Sequence, residues 1–129
     1  MNLLLDTHTF VWWVSGETIE IGARALPLIE DPDNVVFVSA ASAYEIVFKH
    51  RKGLWPDIAL LAADVAGEVE AADFTELPVG FQHMQIAGNL VEVHRDPFDR
   101  ILAAQALTGS MPILSADRKL DQFGVQRIW

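Results

Sequence analysis

Five short apolar runs, separated by longer stretches of helical periodicity, constrain this chain more than any other feature. Residues 2–5 form an apolar run that stops at Asp6, and residues 35–38 are β-branched and aromatic, bounded by Asp33-Asn34 and Ser39. Residues 74–77, Ile113-Leu114 and residues 125–128 complete the series of strands. Between them the pattern predicts helices over 7–14, 19–29, 40–52, 58–72, 81–90 and 98–108. Ala43, Ile46, Val47 and His50, for example, have the i, i+3, i+4, i+7 spacing of one helix face. Strands alternating with helices predict an α/β chain with a mainly parallel sheet between helical layers. In such sheets, sites form where the strands' carboxyl ends meet the following loops and helix N-termini.

That rule gives four acids a shared address. Asp6 directly follows the first strand, and Asp117 lies three residues beyond Leu114 at the end of the fourth. Glu45 is near the start of the helix after strand two, and Asp99 begins the helix over 98–108. All four are expected on one rim.

Each also has a structural alternative. Asp6 is a good N-cap for a helix starting at Thr7. Ser42-Ala43-Tyr44-Glu45 matches a capping box, and Glu45 can pair with Lys49 four residues on. Asp96 before Pro97 reads as N-cap and first helical residue, which leaves Asp99 at the third helical position, free to face a cleft. Asp117 is nearer the strand end than Asp121, which suits a short helical turn.

Four gathered carboxylates repel, and burying them unpaired is costly. Mg²⁺ or Mn²⁺ removes that difficulty, because hard cations prefer carboxylate and water oxygens. Such an ion also acidifies a water into a nucleophile and steadies an attacked phosphate, so phosphodiester cleavage is the expected reaction class. Against this stands a net charge of −9, from nine Lys and Arg and eighteen Asp and Glu. A cation-filled pocket, or a local basic cluster such as 49–52 or Arg118-Lys119, reconciles the two.

The remaining classes are excluded or weak. The chain has no cysteine, so disulfides and thiolate metal sites are out. His8, His50, His83 and His94 lack paired ligand spacing for zinc. There is no Gly-rich phosphate loop and no G-x-S-x-G elbow; Gly109-Ser110 reads as a helix-ending turn. The tryptophans Trp12, Trp13 and Trp129 read first as core or interface anchors. At 129 residues, half of them apolar, one domain over 1–129 is expected. Apolar runs are too short to span a bilayer, and the N-terminus lacks a signal-peptide pattern, so a reducing cytoplasm and no membrane partner are expected.

The four motifs resemble those of the PIN-domain family, and within it the VapC-type toxins of bacterial toxin–antitoxin pairs. Leu3-Leu4-Leu5-Asp6-Thr7-His8 is similar to the family's first motif, and Ser39-Ala40-Ala41-Ser42-Ala43-Tyr44-Glu45-Ile46 to its second. Residues 96–106 resemble the third, which puts its acid at Asp99; residues 113–117 resemble the last, ending in Asp117. The resemblance covers the chain apart from residues 57–90. It implies a three-layer α/β/α fold and a Mg²⁺- or Mn²⁺-dependent endoribonuclease. Asp6, Glu45, Asp99 and Asp117 would be its catalytic metal ligands. It further implies Ser39 and Ser115 as supporting hydroxyls, and Arg100 or Arg118 as a contact for RNA phosphate. Capping logic separately gives Asp96 a supporting role, and Lys49 with its cluster is either a solvated helix end or a contact for the RNA backbone. An RNA substrate, a homodimer and a cognate antitoxin whose tail enters the acidic groove complete what it implies. Two other classes remain open: a phosphatase or phosphoacceptor domain, which also places an acid after strand one, and a non-catalytic binding module. The former is disfavoured because Asp6-Thr7-His8 lacks a second Asp two residues on.

Overall fold

The computed structural model describes residues 1–91 and 95–129; His94, among the histidines read above, lies outside them. The five strands form where the apolar runs predict: β1 (Asn2–Leu5), β2 (Val35–Ser39), β3 (Thr75–Leu77), β4 (Ile113–Leu114) and β5 (Arg127–Ile128). All pairings are parallel, in the order β3-β2-β1-β4-β5. The central strands are apolar on both sides because both faces are covered. Leu3, Leu5, Val36, Val38, Leu114 and Ile128 face one core, while Leu4, Phe37 and Ile113 face the other.

Helices α1 (Thr7–Val14), α2 (Leu26–Glu30), α3 (Ala40–Arg51), α4 (Ala59–Ala63) and α5 (Val65–Ala71) supply the first core through Phe10, Ile29, Ile46, Leu61 and Val69. On the other face lies α7 (Pro97–Thr108), with α6 (Phe81–Asn89) beside it. Leu102, Ala103 and Ala106 of α7 pack there with Leu120 and Phe123 of a 3-10 segment, Arg118–Phe123. Helices on both faces make the expected three-layer α/β/α arrangement. No helix among the described residues is long and apolar enough to cross a membrane.

Two helices expected to be continuous are broken. Residues 19–29 divide into a 3-10 turn at Thr18–Glu20 and the short α2. Pro27 falls in the first turn of α2, the one place where its missing N–H costs nothing, so the helix cannot run through it from Ile19. Gly22, in the gap, passes so close under Trp129 that a Cβ there would meet its carbonyl carbon at 2.6 Å. Residues 58–72 divide at Asp64, whose carboxylate turns back to accept from Gly67 N at 2.9 Å and so starts α5 afresh. At the end of α7 the helix-ending turn forms as read, with the left-handed conformation at Ser110 (φ 50°) rather than Gly109.

Candidate active site at the carboxyl rim of the sheet

The chain goes from β1 out to β2 and β3, then returns to place β4 on the other side of β1. The strand order therefore reverses between β1 and β4, and a parallel sheet opens its crevice there, at the strands' carboxyl ends. Asp6 and Ser115 are the first residues past those two strands, and they meet. Ser115 Oγ donates to Asp6 Oδ2 at 2.5 Å. The same hydroxyl accepts from Asp117 N at 3.0 Å, which ties the second acid to the first through one side chain.

The other oxygen of Asp6 caps α1. Its Oδ1 accepts from Thr9 N at 2.8 Å and from the Thr9 hydroxyl at 2.6 Å. The capping reading of Asp6 is thus correct, and it occupies only half of the carboxyl group. Asp6 is 5% exposed and, among the described residues, forms no ion pair with a lysine or arginine. Burial pushes its carboxyl above the ordinary range; the Ser115 and Thr9 hydrogen bonds and the nearby His8 pull it back.

Glu45 lies on α3. The helix is capped by Ser39, whose hydroxyl accepts from Ala41 N at 3.0 Å, so the capping box suggested by Ser42 and Glu45 does not form. A cap three residues earlier puts Ser42 and Glu45 inside the helix, where both are buried. Ser42 Oγ lies 2.9 Å from Thr7 Oγ1, which pins α3 against the start of α1. Glu45 Oε2 accepts from Lys49 Nζ at 2.5 Å; the pair is present, but Glu45 sits in the interior rather than on a solvated face.

Asp96 is the N-cap of α7 and accepts from Phe98 N at 2.9 Å, with Pro97 in the first turn and Asp99 two residues later, as the spacing predicts. Because α7 leads through a short turn into the amino end of β4, its own N-terminus lies toward the carboxyl rim, about 18 Å back along twelve residues. Asp117 caps the 3-10 segment through Lys119 N at 2.9 Å. Asp121 lies inside that segment and is held by Arg127, with Nε to Oδ1 at 2.7 Å and Nη2 to Oδ2 at 3.1 Å. The Arg127 hydrogen bond lowers the Asp121 carboxyl below its usual range.

Among the candidate basic residues, Arg118 is exposed and Lys49 is bound to Glu45. Arg100 turns away to the carboxyl end of α6. It donates to Ala87 O (3.1 and 2.8 Å), Leu90 O (2.6 Å) and Val91 O (2.8 Å), a structural task that its sequence position did not suggest. Thr9, Thr7 and Ser42 are the polar groups missed in the sequence. A hydroxyl at the third helical position after an Asp cap was a readable sign for Thr9; Ser42 needed the tertiary structure.

The donor set suits a hard cation in kind: a buried carboxyl at Asp6 oriented by the Thr9 and Ser115 hydroxyls, and a second buried carboxylate at Glu45. Its arrangement does not yet suit one. Among the described residues no three His, Asp or Glu side chains converge closely enough to hold a metal ion. Glu45 is drawn to Lys49, and one oxygen of Asp117 to its cap. A cleft of about 630 Å³ runs along α1, lined by His8, Trp12, Glu17, Trp55 and Asp57; Asp6, Glu45, Asp99 and Asp117 do not line it.

These features define a parallel three-layer α/β/α protein with a buried acidic centre at its topological switch point. The chain belongs to the PIN domain family, whose profile matches residues 3–126. Solved structures share the fold at low identity. A chain of DNA-bound VapBC from Salmonella typhimurium superposes with TM-score 0.69 at 16% identity, over 99% of this chain and 97% of that one. VapBC2 from Rickettsia felis, bound to a DNA fragment from their promoter, gives 0.66 at 11%, over 99% and 98%. VapBC-5 from Mycobacterium tuberculosis, a member of the VapBC family of toxin–antitoxin systems, gives 0.59 at 20%, over 98% and 95%. A search of curated proteins finds no match.

Proposed function

We propose that this protein is a divalent-metal-dependent endoribonuclease, the toxin of a VapC-type toxin–antitoxin pair. The hydrogen-bonded Asp6–Ser115–Asp117 chain at the switch point, in a PIN-family fold, carries the reading. Asp6, Glu45, Asp99 and Asp117 would hold the ion. Bound there, Mg²⁺ or Mn²⁺ would supply charge for the phosphate and acidify the attacking water. The chain's own groups do the rest. Thr9 and Ser115 fix the two oxygens of Asp6 in different directions, Ser39 and Asp96 set the starts of α3 and α7, and Arg118 offers an exposed cation beside Asp117. The toxin–antitoxin assemblies among the structural neighbours support a cognate antitoxin as partner. An apolar groove between α3 and α7, lined by Tyr44, Phe48, Phe98 and Ile101, supports the homodimer.

Purified, antitoxin-free protein should cleave RNA with Mg²⁺ or Mn²⁺ and stop in EDTA. Asp6→Asn and Asp99→Asn should each lower the rate by at least about a hundredfold, the scale of losing a group that stabilises the transition state. Undiminished cleavage by both variants would falsify the assignment. Turnover of small phosphoesters with RNA left intact would point to a phosphatase instead.

A further inference from the structure

Lys49 is enclosed in a way that an ordinary helix-surface pair is not. Its Nζ donates to Glu45 Oε2 at 2.5 Å, and the Glu45 side chain is 4% exposed against 26% for Lys49. On its other side the ammonium stands 5.4 Å from the centre of the Trp55 ring. Trp55 is fixed in turn: its carbonyl lies 2.8 Å from His50 Nδ1, and its ring meets His8 edge-on at 4.9 Å. His8 is two residues from Asp6 and part of its electrostatic surroundings. A side-chain cation thus occupies a built niche, held between a buried carboxylate and a tryptophan ring that itself packs on His8.

We propose that Lys49 is an internal competitor for the divalent cation. Its ammonium neutralises Glu45 in the metal-free protein and must leave before Glu45 can become a ligand. The inference rests on the metal-dependent reading above. The physical reason is that Glu45, buried, cannot be left without a positive partner, whereas the ammonium, on a flexible four-carbon stem, can swing out to water. Once outside, it is a point charge at the rim, available to a phosphate. Metal uptake is thereby coupled to the arrival of a polyanion that favours the outward position.

Mn²⁺ titration by calorimetry, without RNA, tests this on the full chain. Lys49→Met and Lys49→Gln should bind Mn²⁺ at least about fivefold more tightly than the wild type, because a charged hydrogen bond no longer has to be broken. Lys49→Arg, which keeps a cation there, should stay within about twofold. Lys52→Met removes the same charge from the end of the same helix, where Lys52 lies over Phe48 and not against Glu45, and should also change little. In the wild type, Mg²⁺ should alter tryptophan emission as the ammonium leaves Trp55, and Trp55→Phe should abolish that change. This second signal needs no Lys49 variant to fold. Equal affinities for wild type and Lys49→Met, or equal tightening by Lys52→Met, would overturn the competitor and leave the metal site standing. Absence of Mn²⁺ binding in every protein would remove the metal reading itself, and this inference with it.

Discussion

The two oxygens of Asp6 have separate employments, one capping α1 and one taking the Ser115 proton. The group is buried, and its carboxyl is pushed upward mainly by desolvation. When the folded-state value lies above the unfolded one, the native state favours the protonated form. The contribution to stability is then complete below the unfolded value of 3.8 and is lost as pH rises through the raised folded value. Above that unfolded value, without metal, the unfolded chain gives up this proton more readily than the folded one, so Asp6 weakens the fold as pH rises toward neutrality. Asp6→Asn keeps an acceptor for Thr9 and removes the charge. In EDTA it should melt above the wild type at pH 7.5, with the difference shrinking as pH falls toward 4; a difference of the opposite sign would show that another group already neutralises Asp6. Both roles of this residue were visible in the sequence, since an acid after an apolar strand and before Thr7 is at once a strand-end acid and a cap. The partner of the second oxygen was not, because Ser115 is more than a hundred residues away and is brought in by strand pairing.

At the scale of elements, the sequence was most legible where one signal acted alone. β1, α1 and α7 fall close to their expected limits because a single cap or strand end sets each boundary. The helices over 19–29 and 58–72 split because Pro27 and Asp64, inside apolar patterns, override the periodicity locally. Arg100 shows the opposite case, a residue with a helical place and an unforeseen task. Its guanidinium holds the carbonyls of Ala87, Leu90 and Val91 at the end of α6, where helical carbonyls run short of intrahelical donors and Leu90 N reaches Ala87 O only at 3.4 Å. Arg100→Met keeps the aliphatic stem but strands these acceptors. It should destabilise the protein by about 2 kcal/mol, the scale of a few charge-assisted hydrogen bonds at a half-buried site. Urea denaturation would measure the loss, and amide exchange should quicken first in Phe81–Asn89. A stability unchanged by the substitution would return Arg100 to the list of phosphate contacts.

The whole molecule carries nine basic side chains against eighteen acids, and three of the nine are engaged within the fold while six are exposed. Arg100 serves α6, Arg127 holds Asp121 and Lys49 holds Glu45. Next to the candidate ligands in the chain, Arg95, Arg118 and Lys119 are exposed. An RNA held by those three side chains releases few counterions, so affinity should depend weakly on salt. For single strands the slope of log K against log[salt] is about −0.7 for each phosphate neutralised, which makes it about −2 here. Released Lys49 would add about −0.7 more, and only when a divalent ion is present. Fluorescence anisotropy on the uncleaving Asp99→Asn variant, at fixed Mg²⁺, can measure the slope between 50 and about 300 mM KCl, the range over which this screening acts. Arg118→Ala should reduce its magnitude by about 0.7. A slope steeper than about −5 would require a broad basic surface that this acidic chain does not have, and binding would then have to be explained by a partner protein rather than by the rim itself.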